Sequence, residues 1–186
     1  VDGDASFDFQ LSYPIWDKLN YTFTTNIRSN NGLLSIEGFT PPLSNLTGLI
    51  TMTRDSIQSE SLTGNFLGGP VNIDLTRVTE DMTKYSAIAY TTGIATAERL
   101  IGELGLPLEG LLSGSTRYDT KILFPYGKAD DPAPLHVSIE TSLEGLAVKL
   151  PVPAGKKLDE IRSLSMHIKF PEPGRIDSSG SSTDGI

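Results

Sequence analysis

Along residues 46–76, LTGLITMTRDSIQSESLTGNFLGGPVNIDLT, strand-like residues fall in three short runs, each followed by a turn signal. Val71, Ile73 and Leu75 alternate with Asn72, Asp74 and Thr76. A period of two puts apolar groups on one face of a strand and polar groups on the other. Gly68-Gly69-Pro70 breaks the run before it and starts this one, since Gly reaches unusual backbone angles and Pro fits at a first strand position. The same alternation recurs elsewhere. Phe7, Phe9, Leu11 and Tyr13 oppose Asp8, Gln10 and Ser12, while Tyr21, Phe23, Thr25 and Ile27 fall together. Tyr118, Thr120, Ile122 and Phe124 oppose Arg117, Asp119 and Lys121. Val137 pairs with Ile139 in phase, and Met166, Ile168 and Phe170 oppose His167 and Lys169.

These patterns predict strands near 5–13, 21–27, 33–38, 46–53, 56–61, 70–78, 84–93, 108–112, 115–124, 136–143, 146–150 and 164–170. Asn30-Asn31-Gly32 predicts a hairpin turn, because Asn-Gly favours tight primed turns, and Thr40-Pro41-Pro42 predicts a break. Residues 95–104 predict one helix. Ala97, Leu100, Ile101 and Leu104 recur at helical spacing, Thr96 is placed to cap it, Glu98 lies near the positive end of the dipole, and Gly105 and Pro107 close it. A Leu-x-Gly triplet appears at 46–48, 62–64, 108–110 and 143–145. Its uneven spacing excludes a strict solenoid period.

Many strands against one short helix predict a mainly β, antiparallel protein. One helix is too little to cover such a sheet. The sheet must curl on itself, pack face to face on another sheet, or carry an apolar face for something else. The polar, glycine-containing ends read as those of an excised piece of a larger protein. Residues 1–173 are expected to form a single β-rich domain and 174–186 a disordered tail.

Composition narrows the chemistry. The 186-residue chain has 15 basic and 23 acidic residues, a net charge of −8, which disfavours nucleic acid as a partner. There is no cysteine, so disulfides, thiolate metal sites and cysteine nucleophiles are excluded. No run approaches the roughly 18 apolar residues of a membrane span, so the fragment is expected to be soluble, and monomeric. No metalloprotease, serine-hydrolase or P-loop motif occurs. His136 and His167 fall at polar-face positions of separate strands and are read as surface residues. Asp130-Asp131 lacks the ligand run of a calcium loop, and the lone Trp16 is read as packing. The expectation is no enzyme, no cofactor and no metal.

A set of short stretches in a particular order carries a resemblance. Leu11-Ser12-Tyr13-Pro14 is followed by Leu43-Ser44-Asn45-Leu46-Thr47-Gly48, then by Ile57-Gln58-Ser59-Glu60-Ser61-Leu62 and Gly68-Gly69-Pro70-Val71. Leu111-Leu112-Ser113-Gly114-Ser115-Thr116-Arg117-Tyr118 comes next. Thr141-Ser142-Leu143-Glu144-Gly145-Leu146 then leads to Leu150-Pro151-Val152-Pro153-Ala154-Gly155-Lys156. Together they resemble the central region of the YhdP family, large AsmA-like proteins of Gram-negative bacteria.

The resemblance implies a long, twisted and curved antiparallel sheet forming an open groove or half-barrel, related to the repeating β-groove lipid bridges. It implies a periplasmic parent protein, anchored in the inner membrane by a segment outside this region, that moves phospholipid toward the outer membrane. It carries over no catalytic residue. Joined to the alternation, it marks Val71, Ile73, Leu75, Tyr118, Ile122, Phe124, Val137, Ile139, Met166 and Ile168 as one converging apolar surface that contacts phospholipid acyl chains. The competing expectation is a secreted β-sandwich that binds carbohydrate or protein. A filled core between two sheets would favour the sandwich, and an open apolar face would favour the groove.

Overall fold

The structure, a computed structural model, describes residues 2–16, 20–36, 39–79, 84–125 and 133–170. The elements in chain order are β1 (Asp2–Ser12), β2 (Thr22–Ile36), β3 (Phe39–Thr53), β4 (Ile57–Phe66), β5 (Gly69–Arg77), β6 (Tyr85–Thr96), α1 (Ala97–Leu104), β7 (Leu112–Pro125), β8 (Leu135–Thr141), β9 (Leu146–Val148) and β10 (Leu164–Phe170). They form one antiparallel 10-stranded sheet that does not close into a barrel. Strands β1 to β8 lie side by side in sequence order, and β10 follows β8. Strand β9 pairs with the start of β7, at Leu112 to Gly114, while β8 pairs with Tyr118 to Leu123. The path is therefore nine strands wide rather than ten, roughly 38 Å between the outermost strand axes at about 4.8 Å per step. The described residues hold one sheet, not the two that a sandwich needs.

Several local expectations are corrected. Asn30-Asn31-Gly32 is not a hairpin turn but lies inside β2, and Pro41 and Pro42 lie inside β3. The positive φ that Asn31 favours (58°) is used in a β-bulge instead of a turn. Ser29 Oγ donates to the Leu46 carbonyl (2.8 Å) beside it, and Thr47 Oγ1 accepts from the Asn31 amide (3.3 Å). Residues 108–111 are turn rather than strand, closed by the Leu112 amide on the Leu108 carbonyl (3.1 Å). The helix starts at Ala97 rather than 95, because β6 keeps its pairing with β7 through Thr96. Thr96 sits at the cap with extended angles but makes no side-chain cap bond, and its amide donates to the Leu67 carbonyl (3.0 Å). Gly105 closes the helix in the left-handed region, its amide on Ile101. The tail at 174–186 and Asp130-Asp131 lie outside the described residues.

Bulges keep the sheet's apolar face in phase. In β2, Phe23 and Ile27 share a face with Leu34, although odd and even positions should oppose each other. The register shifts between Ser29 and Gly32 to absorb the difference. In β3, Leu43 is brought onto the face of Leu46, Ile50 and Met52 by a shift that spans Asn45 (φ 53°). In β4, Ile57 and Ser59 precede Leu62 and Phe66 across a shift that spans Ser61 (φ 51°). Ser59 Oγ fills the gap in the ladder there, accepting from the Leu75 amide (2.8 Å). From β5 to β8 the pairings run without a shift except near Tyr85.

Candidate functional site

Residues directly opposite in an antiparallel ladder point to the same face. The pairings Ile73↔Thr91, Leu75↔Ala89, Ala89↔Ile122, Ala87↔Phe124, Ile122↔Val137, Thr120↔Ile139, Ile139↔Met166 and Val137↔Ile168 therefore trace one face across β5, β6, β7, β8 and β10. Val71 and Tyr118 join it through Gly93. Every residue that the alternation marked lies on this face. They do not lie equally open. Val71, Tyr118 and Val137 are buried, Ile73, Leu75, Ile122, Phe124, Ile139 and Ile168 are half-buried, and Met166 is exposed.

The face continues where the sequence reading did not follow it. Leu62 pairs with Ile73, Met52 with Ile57, Ile50 with Ile27, Ile27 with Phe7 and Phe23 with Leu11. Phe7, Phe9 and Leu11 were visible as an apolar row in the alternation. Joining that row to Ile73 needs the register across three bulges, which no local pattern carries. Phe9 stacks on Phe23 with ring centroids 6.3 Å apart. Phe7 and Phe9 are still 70% and 62% exposed. No second layer covers them among the described residues.

The opposite face is mostly polar and knits itself together, although Ile88 is buried on it beside Leu123. Thr92 Oγ1 donates to Asp119 Oδ1 (2.6 Å), Thr51 Oγ1 to Asn26 Oδ1 (3.0 Å), and Ser138 Oγ meets His167 Nδ1 at 2.9 Å. Each is a directly opposite pair across neighbouring strands. His136 and His167 also lie here, with ring centroids 6.0 Å apart. Among the described residues no group of three His, Cys, Asp or Glu side chains converges.

Beside the turn between β4 and β5, β4 comes close to β6, with the Thr96 amide on the Leu67 carbonyl. Residues of β4 and β6, two strands apart, approach within 8 Å between Cα atoms, against about 9.6 Å in a flat sheet. Phe66 on β4 and Tyr118 on β7 meet edge to face at 6.5 Å across the two strands between them. The Tyr118 ring lies directly on Gly93. A Cβ there would stand 2.9 Å from ring carbon Cε1 and closer still to Cζ and the hydroxyl oxygen, so only glycine admits the ring. Tyr118 is 6% exposed, and its hydroxyl is buried without a hydrogen-bond partner among the described residues. Burial pushes that hydroxyl up to about 12.

One end of the sheet is finished by α1, which touches β6 and β7 and buries Ala97. Leu100 and Ile101 are half-buried. The helix borders an open hollow of about 570 Å³ lined by Ile101, Leu112 and Ser113 among others. Beyond β9, residues 149–163 wrap around Lys156, whose buried Nζ donates to the Leu146 and Lys157 carbonyls (2.8 and 3.0 Å). Nearby, the Arg162 side chain donates to Glu160 (2.7 Å) and holds its carboxyl below the usual range, aided by the Lys157 amide.

The described residues thus form a single-layer antiparallel sheet with one apolar and one mostly polar face. The family described as YhdP protein matches residues 1–183, and the chain belongs to that family. It is 26% identical over 171 residues to a protein of Escherichia coli strain K12 described as an intermembrane phospholipid transporter, YhdP. That match covers 91% of this chain and 13% of the longer protein. No solved structure matches.

Proposed function

We propose that the apolar face holds phospholipid acyl chains, and that this chain is a middle section of the path along which a YhdP-type protein moves phospholipid between membranes. The observation that carries the reading is the apolar face running from Phe9 to Ile168, in register across the sheet and left open at Phe7, Phe9, Leu11 and Met166 among the described residues. The relative described as an intermembrane phospholipid transporter supports the choice of occupant. Burying a methylene gains about 0.8 kcal/mol, so an acyl chain of roughly fifteen gains on the order of 10 kcal/mol before ordering costs. A charged headgroup stays in water, since dehydrating it costs more than contact with the sheet returns. Many equivalent apolar contacts and no headgroup clamp suit movement along the face.

The parent protein is placed, on this reading, in the periplasm with an inner-membrane anchor outside this region, and lipid passes toward the outer membrane. The described residues contain no helix long and apolar enough to cross a membrane. The surface acts by contact, with no catalytic step.

The test has two parts. A photoreactive residue at Phe9 should capture lipid from cells, and one at Gln10, on the other face, should not. Ile73→Asp together with Ile139→Asp in the parent protein should stop phospholipid passage while the protein still folds, whereas Asp74→Lys on the polar face should leave it intact. Transport that survives in a folded Ile73/Ile139 double variant would remove the acyl-chain assignment.

A further inference from the structure

Tyr118 is the anomaly on the apolar face. Its neighbours there are apolar or satisfied: Val71 and Ile122 offer no acceptor, and Thr116 pairs with Thr141 at 3.2 Å. Its own hydroxyl is buried and bonded to nothing among the described residues. A buried donor without an acceptor costs stability, and phenylalanine would seat the same ring without that cost. The ring nevertheless has a seat built for it, the bare backbone of Gly93, walled by Phe66. That seat is shaped for a flat apolar group, and a stretch of methylenes is one.

We infer, resting on the acyl-chain reading, that Tyr118 is a specificity-determining residue: an acyl chain takes the ring's seat on Gly93, and the displaced hydroxyl donates to the ester carbonyl of the same lipid. The exchange puts methylenes where the hydroxyl oxygen, Cζ and Cε1 now lie over Gly93, so an apolar group takes the place of an unsatisfied polar one. It adds one hydrogen bond that the unoccupied sheet lacks. The hydroxyl remains protonated at any physiological pH, because burial raises it to about 12 and exposure returns it only toward 10.0. The preferred ligand is therefore a lipid with its chains attached as esters, against one with the same chains attached as ethers, which has no carbonyl to accept the bond.

The experiment measures retention of dioleoyl-phosphatidylethanolamine and of its dialkyl ether counterpart from mixed vesicles, in the wild-type protein and in Tyr118→Phe. One net hydrogen bond of about 1 kcal/mol corresponds to roughly fivefold preference. Wild type should retain the ester lipid about fivefold over the ether lipid, and Tyr118→Phe should retain both equally. In the infrared, the carbonyl stretch of the bound ester lipid should lie lower in wild type than in Tyr118→Phe. Equal retention of both lipids by wild type, or an unchanged preference in Tyr118→Phe, overturns this inference alone. Retention of neither lipid overturns the acyl-chain reading and this inference with it.

Discussion

The two flanks of the sheet are built by the same rule and end differently. From β5 to β8 the register runs almost unbroken, and the apolar face is made of small or closely fitted residues: Gly93, Ala87, Ala89 and Val137, the last only 1% exposed. From β1 to β4 the register shifts repeatedly, and the same face carries Phe7, Phe9 and Leu11 largely in the open. Alternation is as clean in β1 through Phe7, Phe9 and Leu11 as in β5 and β7. Whether a position becomes core depends on what bends over it. Over β5 and β6, Phe66 reaches across to meet Tyr118. At β1 nothing in the described residues arrives. Amphipathic patterning sets the face of a residue but not its burial.

The largest effect that tests this contrast is a charge placed on each flank. Val137→Asp should cost about 4 kcal/mol or prevent folding, because an unpaired carboxylate would sit in a closed apolar site. Phe9→Asp should cost about 1 kcal/mol, the stacking with Phe23 and little more. Urea denaturation of both variants gives the comparison, and similar losses would mean that both flanks are core.

Gly93→Ala comes next. Its Cβ enters the Tyr118 ring, so the variant should lose about 3 kcal/mol. Combination with Tyr118→Ala should recover part of it, since the clash is then gone. Failure to recover would place the strain in the β6 backbone instead.

The Tyr118 hydroxyl gives a pH signature. Its folded value, about 12, lies above the ordinary 10.0, so the folded state holds the proton more tightly than the unfolded chain. The associated stability is complete below about pH 10 and is lost as pH rises to about 12, a fall of about 2 kcal/mol. Tyr118→Phe should lack this component while otherwise unfolding at similar or higher denaturant concentration. Melts at pH 9, 10 and 11 at constant ionic strength would show it, and parallel curves for both proteins would refute it.

The smallest expected effect lies in the bulged flank. Asn31→Val forces a β-branched side chain to φ 58° and should cost about 1 kcal/mol, whereas Asn31→Gly should be within a few tenths of wild type. If valine is tolerated, the bulge has moved, and the phase of β2 should have moved with it.

Much of this was legible in the residues. The strands around Ile73, Ile122, Val137 and Ile168 were readable from alternation, and their convergence on one face follows from antiparallel neighbours in sequence order. The family resemblance, carried by the order of short motifs, is matched by the family assignment. The central bulges were not legible, because Asn-Gly serves a hairpin turn and a bulge with the same backbone angle. Residues 108–112 read as strand on composition alone, but the chain must turn there to enter β7 beside α1. The seat of Tyr118 on Gly93 was invisible to pattern, since a contact between opposed residues on neighbouring strands leaves no periodic trace.

The phase shifts near Asn31, Asn45 and Ser61 bear on how such a sequence drifts in length. In an unbroken strand, gaining or losing one residue inverts every side chain beyond it. At a bulge the additional residue is already excluded from the ladder, so a single deletion or duplication there changes the strand's parity at one place and leaves its pairing otherwise intact. Strands β2, β3 and β4 each carry such a joint, while the β5–β6 and β7–β8 pairs have none and the β6–β7 pair shifts only at its end, near Tyr85. Indels among relatives should therefore accumulate on the Phe9 side of the sheet, and the Val137 side should keep a fixed length.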